Sequence, residues 1–473
     1  MNQIAEQENP DSEGRKDRPL PRRVRHGRIG LGMVTSLVFA GLILTVLTLS
    51  LSGRAVPVPD VIRTRVEGSV NQRFGSEPLQ LGGMQLSFGR DGIPRVVLSD
   101  VAIGNPADGA VAVLNQLRAR LSPGRLLQGE IAVSGLELDG AQITLRRTAS
   151  GDFSLRSDQL EEAEAQSVPD LLDMIDKVFS TAALSSLRTA EAAGIVLTLE
   201  DARSGRIWQA TNASLILRRE DAATSLTLVS DVFNGTDQVA EIQLSLARNL
   251  ATSGVSIGAT VAGMPAGDIA LQSPVLAWLG VLDAPLSGSV RTEIDADGRL
   301  SSLAGTLDIQ AGALRPLPDV APAPFQSARA YFSFDPKRQR IDFSDIAVMS
   351  DQGHLSATGH TYLADLVGPW PQAFLGQFTV ATLEYDAPAI FSDPLKLADL
   401  RADLRLRLDP FTVEIGQLAL DQEEARIRAN GRVTAEADGW HVSVDAQSPA
   451  ITSERVLRYW PKIVSPITRK WLS

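Results

Sequence analysis

The chain has 473 residues, of which 44% are hydrophobic and 5% aromatic, with a net charge of -11 and no cysteine. That length suits about two to four ordinary domains or one elongated body, and the apolar content excludes wholesale disorder. The acidic balance gives nucleic acid no electrostatic footprint, and the missing thiols exclude disulfides, thiolate metal sites and a cysteine nucleophile.

Residues 1–28 read as a cytoplasmic basic tail. After a polar start, Arg15, Lys16, Arg18, Arg22, Arg23, Arg25 and Arg28 face one acid, Asp17. Residues 29–51, IGLGMVTSLVFAGLILTVLTLSL, carry no charge. A bilayer core needs about 20 apolar residues of helix, so this run predicts a transmembrane anchor. Arg54 stands nearly alone after it, and the positive-inside rule then puts the N-terminus in the cytoplasm and the rest of the chain across the membrane. A cleaved signal peptide is the competing reading, but its apolar region is usually only about 7–15 residues.

Beyond the anchor, Val58, Ile62, Val66, Val70 and Phe74 recur at helical spacing and predict a short amphipathic helix. Alternating runs begin at Leu79 with LQLGGMQLSF. The stretch GEIAVSGLELDGAQITLRR places Ile131, Val133, Leu136, Leu138, Ile143 and Leu145 at apolar positions, with Gly135 and Asp139-Gly140 where the phase changes. Asp-Gly between alternating runs is a hairpin signal. The same rule recurs over 287–314, 341–363 and 425–446. In 400–420, Leu404, Leu406 and Leu408 alternate with Arg405 and Arg407, Asp409-Pro410 breaks the run, and Phe411, Val413 and Ile415 restart it. This predicts strand, turn and strand with one greasy and one charged face.

Two interruptions are helical in pattern. Residues 156–194 are rich in Leu, Ala and Glu, with Leu171, Leu172, Ile175, Val178 and Phe179 as one stripe and Gly194 as a stop. Residues 273–286, SPVLAWLGVLDAPL, predict a turn or two of helix. At the end, 451–473 combines Trp460 and Trp471 with Arg458, Lys462, Arg469 and Lys470. Such an element either lies at a lipid head-group boundary or packs as a helix pair with solvated cations.

Chemical motifs are weak. GVSIG (254–258) matches the Gly-x-Ser-x-Gly of serine hydrolases, but it continues as a strand, whereas a nucleophile elbow needs a helix behind it. EIDADG (293–298) imitates a calcium loop, yet the twelfth position is Ala304, so a hairpin turn is expected. His354 and His360 lie six apart with no acid cluster between them. No catalytic residue, metal or cofactor is expected.

The predicted fold is mostly β: an elongated, twisted antiparallel groove of repeating hairpins, with an N-terminal transmembrane helix and a few short helices. Roughly twenty strands need an apolar cover, and two or three short helices are too few to supply it. A closed sandwich or barrel would fold the sheet onto itself. An open groove would be covered by ligand.

The order of anchor, short helix, LQLGGMQLSF, RVVLSDVAIGNP and RLLQGEIAVSGLELDGAQITLRRTASGDFSL resembles the AsmA-like superfamily of bacterial envelope proteins. The stretch VLRYWPKIVSPITRKWL, with Tyr459, Trp460, Pro461, Thr468, Arg469 and Trp471, is similar to an element in the middle of YhdP-type chains. The resemblance implies the N-terminal part of a longer protein. Residues 55–155 would be the AsmA-like helix and first strands, 195–450 the groove, and 451–473 the start of the next region.

The implied protein is a single-pass inner-membrane one, its bulk periplasmic, conducting glycerophospholipid toward the outer membrane and supporting its barrier. Membrane phospholipids would be its partners, with an outer-membrane or periplasmic protein as a further one and no nucleic acid. Candidate groove-lining residues are Ile131, Val133, Leu136, Leu138, Ile143, Leu145, Leu404, Leu406, Leu408, Phe411, Val413 and Ile415. The alternative is a structural or assembly protein of the envelope, with a closed sandwich and protein partners. A conduit requires one face to stay apolar without interruption.

Overall fold

The computed structural model describes Gly41 and residues 55–74, 79–89, 91–103, 112–148, 153–155, 184–202, 204–220, 223–235, 239–249, 254–295, 300–422, 425–449 and 452–472. The chain divides into two compact units, Met1–Ala55 with Ser87–Gly92 and Val56–Leu86 with Ile93–Ser473. The second unit is the subject below. The predicted anchor at 29–51, apart from Gly41, and the stripe at 171–179 lie outside the described residues. Among the described residues no helix is long and apolar enough to cross a membrane.

Among the described residues, twenty-one strands hydrogen-bond into one sheet. Its first part comprises β1 (Val56–Pro57), β2 (Leu79–Phe88), β3 (Pro94–Ile103), β4 (Ala112–Leu121), β5 (Val133–Arg147), β6 (Phe153–Leu155), β7 (Thr189–Asp201), β8 (Arg206–Arg219), β9 (Ala223–Phe233), β10 (Val239–Asn249) and β11 (Val255–Pro265). After β12 (Leu282–Asp283), the sheet continues through β13 (Pro285–Ile294), β14 (Leu300–Ile309), β17 (Ser327–Asp335), β18 (Arg340–Ser350), β19 (Gly353–Val367), β20 (Trp370–Tyr385), β21 (Leu395–Arg407), β22 (Thr412–Gln422), β23 (Ala425–Glu436) and β24 (Gly439–Gln447). β15 (Gly312–Leu314) and β16 (Ala323–Phe325) join β12 in a separate three-stranded sheet.

Most neighbours are antiparallel, as the alternation predicts, but the sheet is mixed. β5 and β7 run parallel from Gly135↔Thr189 to Arg147↔Asp201. A parallel pair needs a crossover of a dozen or more residues, and the long connection between these strands provides the length. The same pairing corrects the predicted helix over 156–194, because Thr189–Gly194 is the start of β7. Strand partners on both edges, β5 and β8, outweigh the helix propensity of an Ala-rich run.

Asp139-Gly140 is not a hairpin turn. β5 passes straight through it, held on one edge by β4 and on the other by β7. Gly140 has φ 68°, which favours glycine, and a Cβ there would stand 2.2 Å from Asn115 Nδ2, so the Asn115 side chain would have to move to admit one. Asp100 (φ 51°), Gly194 (φ 65°) and Asn212 (φ 51°) are left-handed near the same level of their own strands. Irregularities of this kind bend a strand and sharpen its twist. They also change its phase, so that Leu136 and Leu138 share a face with Ile143 and Leu145 despite opposite parity. The Asp438-Gly439 signal does mark a hairpin, with Glu436 opposite Gly439.

Helix α1 (Asp60–Phe74) lies where its spacing predicts, but polar groups do much of its docking. Val66 packs on Leu81, Val101, Leu114 and Ala141, whereas Ile62 remains exposed. Arg63 Nη1 donates to the carbonyls of Leu81 and Gly82 at 2.7 and 3.1 Å. Glu67 Oε1 accepts from the Leu81 N–H at 2.8 Å, and Asn71 exchanges two bonds with the backbone of Leu79. These side chains occupy backbone groups that an edge strand would otherwise leave open to pairing.

Candidate functional site: the apolar face

Register defines the site better than any pocket does. Leu98, Leu117, Leu138, Ala192, Leu215, Leu228, Leu244, Ala259 and Val290 lie opposite one another in turn from β3 to β13. The row continues through Gly305, Phe332, Phe343, Gly359, Phe378, Ala402, Leu418, Ala429 and Ala446 to β24. It crosses eighteen strands without a polar side chain. At ~4.8 Å per strand its contour is roughly 80 Å. A second row, from Val96 to Val444, holds no charge and is broken only by Thr292 and Thr361.

The opposite face carries cross-strand ion pairs: Arg146 with Glu200 (3.1 Å), Arg329 with Asp345 (3.6 Å), Lys396 with Glu384 (3.6 Å) and Arg432 with Glu414 (3.4 Å). These exposed pairs contribute little stability, at most about 1 kcal/mol each. They mark which face is hydrated.

Part of the apolar face is covered by the chain itself. A lid rises from the ends of β11 and β14. It comprises a short helix (Ala266–Ala270), a 3-10 helix (Pro274–Val281, inside the predicted helical patch) and the three-stranded sheet of β12, β15 and β16. Val275, Leu276 and Leu279 pack with Leu286, Leu307, Phe332, Phe343 and Phe374, and Trp278 meets the Phe343 ring edge-on at 6.4 Å. Farther along, Val320 packs with Phe411 and Ala435, and Trp440 Nε1 donates to the Ala321 carbonyl at 2.7 Å.

A buried polar latch fixes the lid's near end. Asp268, 2% exposed, accepts hydrogen bonds from Arg206 and Asn234. Gln272 Oε1 accepts from Arg147 Nη1 at 2.6 Å, and Arg147 also lies 3.7 Å from the fully buried carboxylate of Asp201.

The predicted lining residues therefore fall into different settings. Val133, Leu136, Leu138, Ile143 and Leu145 are half-buried on the apolar face, away from the lid, and Leu138 and Ile143 join the cluster around Leu81. Ile131 lies before β5 and is 74% exposed. Leu404 and Ile415 belong to the second apolar row and are half-buried. Leu406, Leu408, Phe411 and Val413 pack in the clusters that hold the lid down.

The terminal motif folds as two short helices, Ser453–Tyr459 and Pro466–Leu472. Arg469 joins them by donating to the carbonyls of Leu457 (3.0 Å) and Trp460, and reaches Ser392 Oγ at 2.6 Å. Trp460 Nε1 donates to the Val464 carbonyl at 2.7 Å, while Tyr459 and Pro461 are half-buried. Thr468 shares a 2.9 Å hydrogen bond with Ser465 Oγ, and Trp471 is 82% exposed. Arg469 and Trp460 thus have structural partners, and Trp471 faces solvent.

One grouping escaped the sequence reading. Glu436, Asp438 and His441, all exposed at the β23–β24 hairpin, bring ligand-type atoms within 4.8 Å of one another. The His441–Asp438 hydrogen bond (2.8 Å), helped by their charges, raises the imidazole above its ordinary value. The same bond, with backbone support, lowers Asp438. The pair holds between Asp438's lowered pKa and His441's raised one, and its imidazolium contribution is lost as pH rises through the latter. Asp438→Asn is expected to bring the His441 midpoint down in an NMR titration; an unmoved midpoint would contradict the pairing.

Fold and site together define a protein built around one open, mostly antiparallel sheet with a single long apolar face. Residues 31–196 match the model of the AsmA family, a family associated with the bacterial envelope. The match ends within β7. The comparison with curated proteins and the comparison with solved structures each gave no match.

Proposed function

We propose that this protein binds glycerophospholipids by their acyl chains on the apolar face and passes them along it between the membranes of a bacterial envelope, without catalysis. Residues 29–51 would anchor it in the inner membrane, leaving the sheet periplasmic, in the manner of YhdP-type proteins. An outer-membrane or periplasmic protein would receive the lipid. One observation carries the proposal: the charge-free row of eighteen apolar positions from Leu98 to Ala446. Acyl chains gain about 0.8 kcal/mol for each CH₂ removed from water, so such a row retains lipid through many equivalent contacts. Where the lid leaves the row uncovered, from Leu98 to Ala259, this equivalence lets lipid move without a deep trap.

A second reading rests on the lid. Leu279 and Val320 cover parts of the face beyond β13 with protein, as a sandwich would, and this half could serve assembly with protein partners. Photo-crosslinking separates the readings. With a photoreactive amino acid at Leu244 on the apolar face or at Ser245 on the other, phospholipid adducts are expected at Leu244 only. Protein adducts alone at Leu244 would favour assembly.

A further inference from the structure

The half of the apolar face away from the lid has a cationic rim. Beyond the second apolar row, Arg188, Arg219, Thr224 and Arg248 stand in register on four consecutive strand lines. The Arg219 N–H donates to the Arg188 carbonyl at 2.8 Å, and Thr224 lies opposite both Arg219 and Arg248. Alternation puts all four on the side of Ala190, Leu217, Leu226 and Leu246, the apolar positions two residues farther in. With strands ~4.8 Å apart, Arg188 and Arg219 are about 5 Å apart at the backbone, and Arg219 and Arg248 about 10 Å. Arg219 Nη1 is buried and has no hydrogen-bond partner among the described residues. A buried guanidinium nitrogen of this kind calls for an acceptor.

We infer that this arginine row is a phosphate-binding rim, which holds the head-group phosphate of a diacyl phospholipid while its chains lie on the half-buried Leu226 and Leu246, beside the buried Leu217. The inference rests on the proposed lipid binding and adds its polar half. A guanidinium meets phosphate oxygens with paired, charge-assisted hydrogen bonds, and two or three in a row can follow a phosphodiester as it shifts by one strand. The rim makes the ligand amphiphilic: an apolar face alone would accept diacylglycerol or fatty acid equally well. It also sets the ligand's direction, with phosphate at the strand ends near Arg219 and tails pointing toward Trp208 at the other end of β8.

The test uses the full chain, incubated with phosphatidylcholine vesicles that carry equal, isotope-labelled fractions of phosphatidylglycerol and diacylglycerol. Captured lipid is counted by mass spectrometry after re-isolation. The wild type is expected to hold phosphatidylglycerol about tenfold over diacylglycerol. The combined Arg188→Gln, Arg219→Gln, Arg248→Gln variant should bring that ratio near one with diacylglycerol capture unchanged, and the corresponding Lys variant should keep most of the preference. A Gln variant that captures neither lipid has lost more than its phosphate contacts and contradicts a rim acting on head groups alone. A wild-type ratio near one, or a Gln variant that keeps the preference, overturns the rim but leaves acyl binding standing. Capture of neither lipid by the wild type overturns the lipid-binding proposal itself.

Discussion

Leu244→Asp is expected to strip phospholipid from the protein while leaving the sheet folded. Leu244 is 41% exposed, lies between Leu228 and Ala259 in the uninterrupted row, and sits on the half of the face away from the lid. A carboxylate there stays hydrated when no lipid is present, so the cost in fold stability is modest. Bound acyl chains would have to desolvate it without a partner, at several kcal/mol, which offsets about as many CH₂ contacts as one chain makes nearby. Lipid co-purifying with the variant should fall at least tenfold, with the circular dichroism spectrum unchanged. Retention at the wild-type level would contradict a lipid path through this position. Leu406→Asp is a poorer probe, because Leu406 packs in two clusters beneath the lid and a charge there would damage the fold directly.

Asp268→Ala should have the largest effect on stability, about 3–5 kcal/mol, toward the lower end because Arg206 is 44% exposed and can rehydrate. Removing the carboxylate leaves Arg206 and the buried Asn234 without their shared acceptor. The loss should concentrate in the lid. Hydrogen exchange over 266–281 is expected to accelerate well beyond that in β17–β20, and denaturant unfolding should begin earlier. Uniform acceleration across the sheet would instead mean that Asp268 supports the whole fold.

Alternation made most strands legible, since a sheet wet on one side spells out its faces at period two. Leu404, Leu406 and Leu408 opposite Arg405 and Arg407 show this directly. What local pattern did not supply was whether an Asp-Gly ends a strand or lies within one. Asp139-Gly140 and Asp438-Gly439 look alike in sequence, but β4 and β7 hold the first within a continuous strand, while the second joins β23 to β24. The parallel β5–β7 junction was hidden for a similar reason, because Thr189–Gly194 draws its strand character from distant partners.

The site was legible as a property of one face and illegible in its coverage. The patch at 273–286 reads as a turn or two of helix, yet nothing local says that it lies across β14 to β20 and hides part of the candidate lining. The latch joins Arg147 to Gln272 across 125 positions and leaves no local pattern. The arginine rim is scattered over three segments and appears only once register aligns Arg188, Arg219 and Arg248.

The central claim is that lipid covers the open apolar face, and native mass spectrometry with lipid extraction on the purified full chain tests it most directly. Phospholipid retained after detergent is removed, in a folded protein, is the predicted result. A folded protein that carries no lipid and takes up none from vesicles would contradict the account.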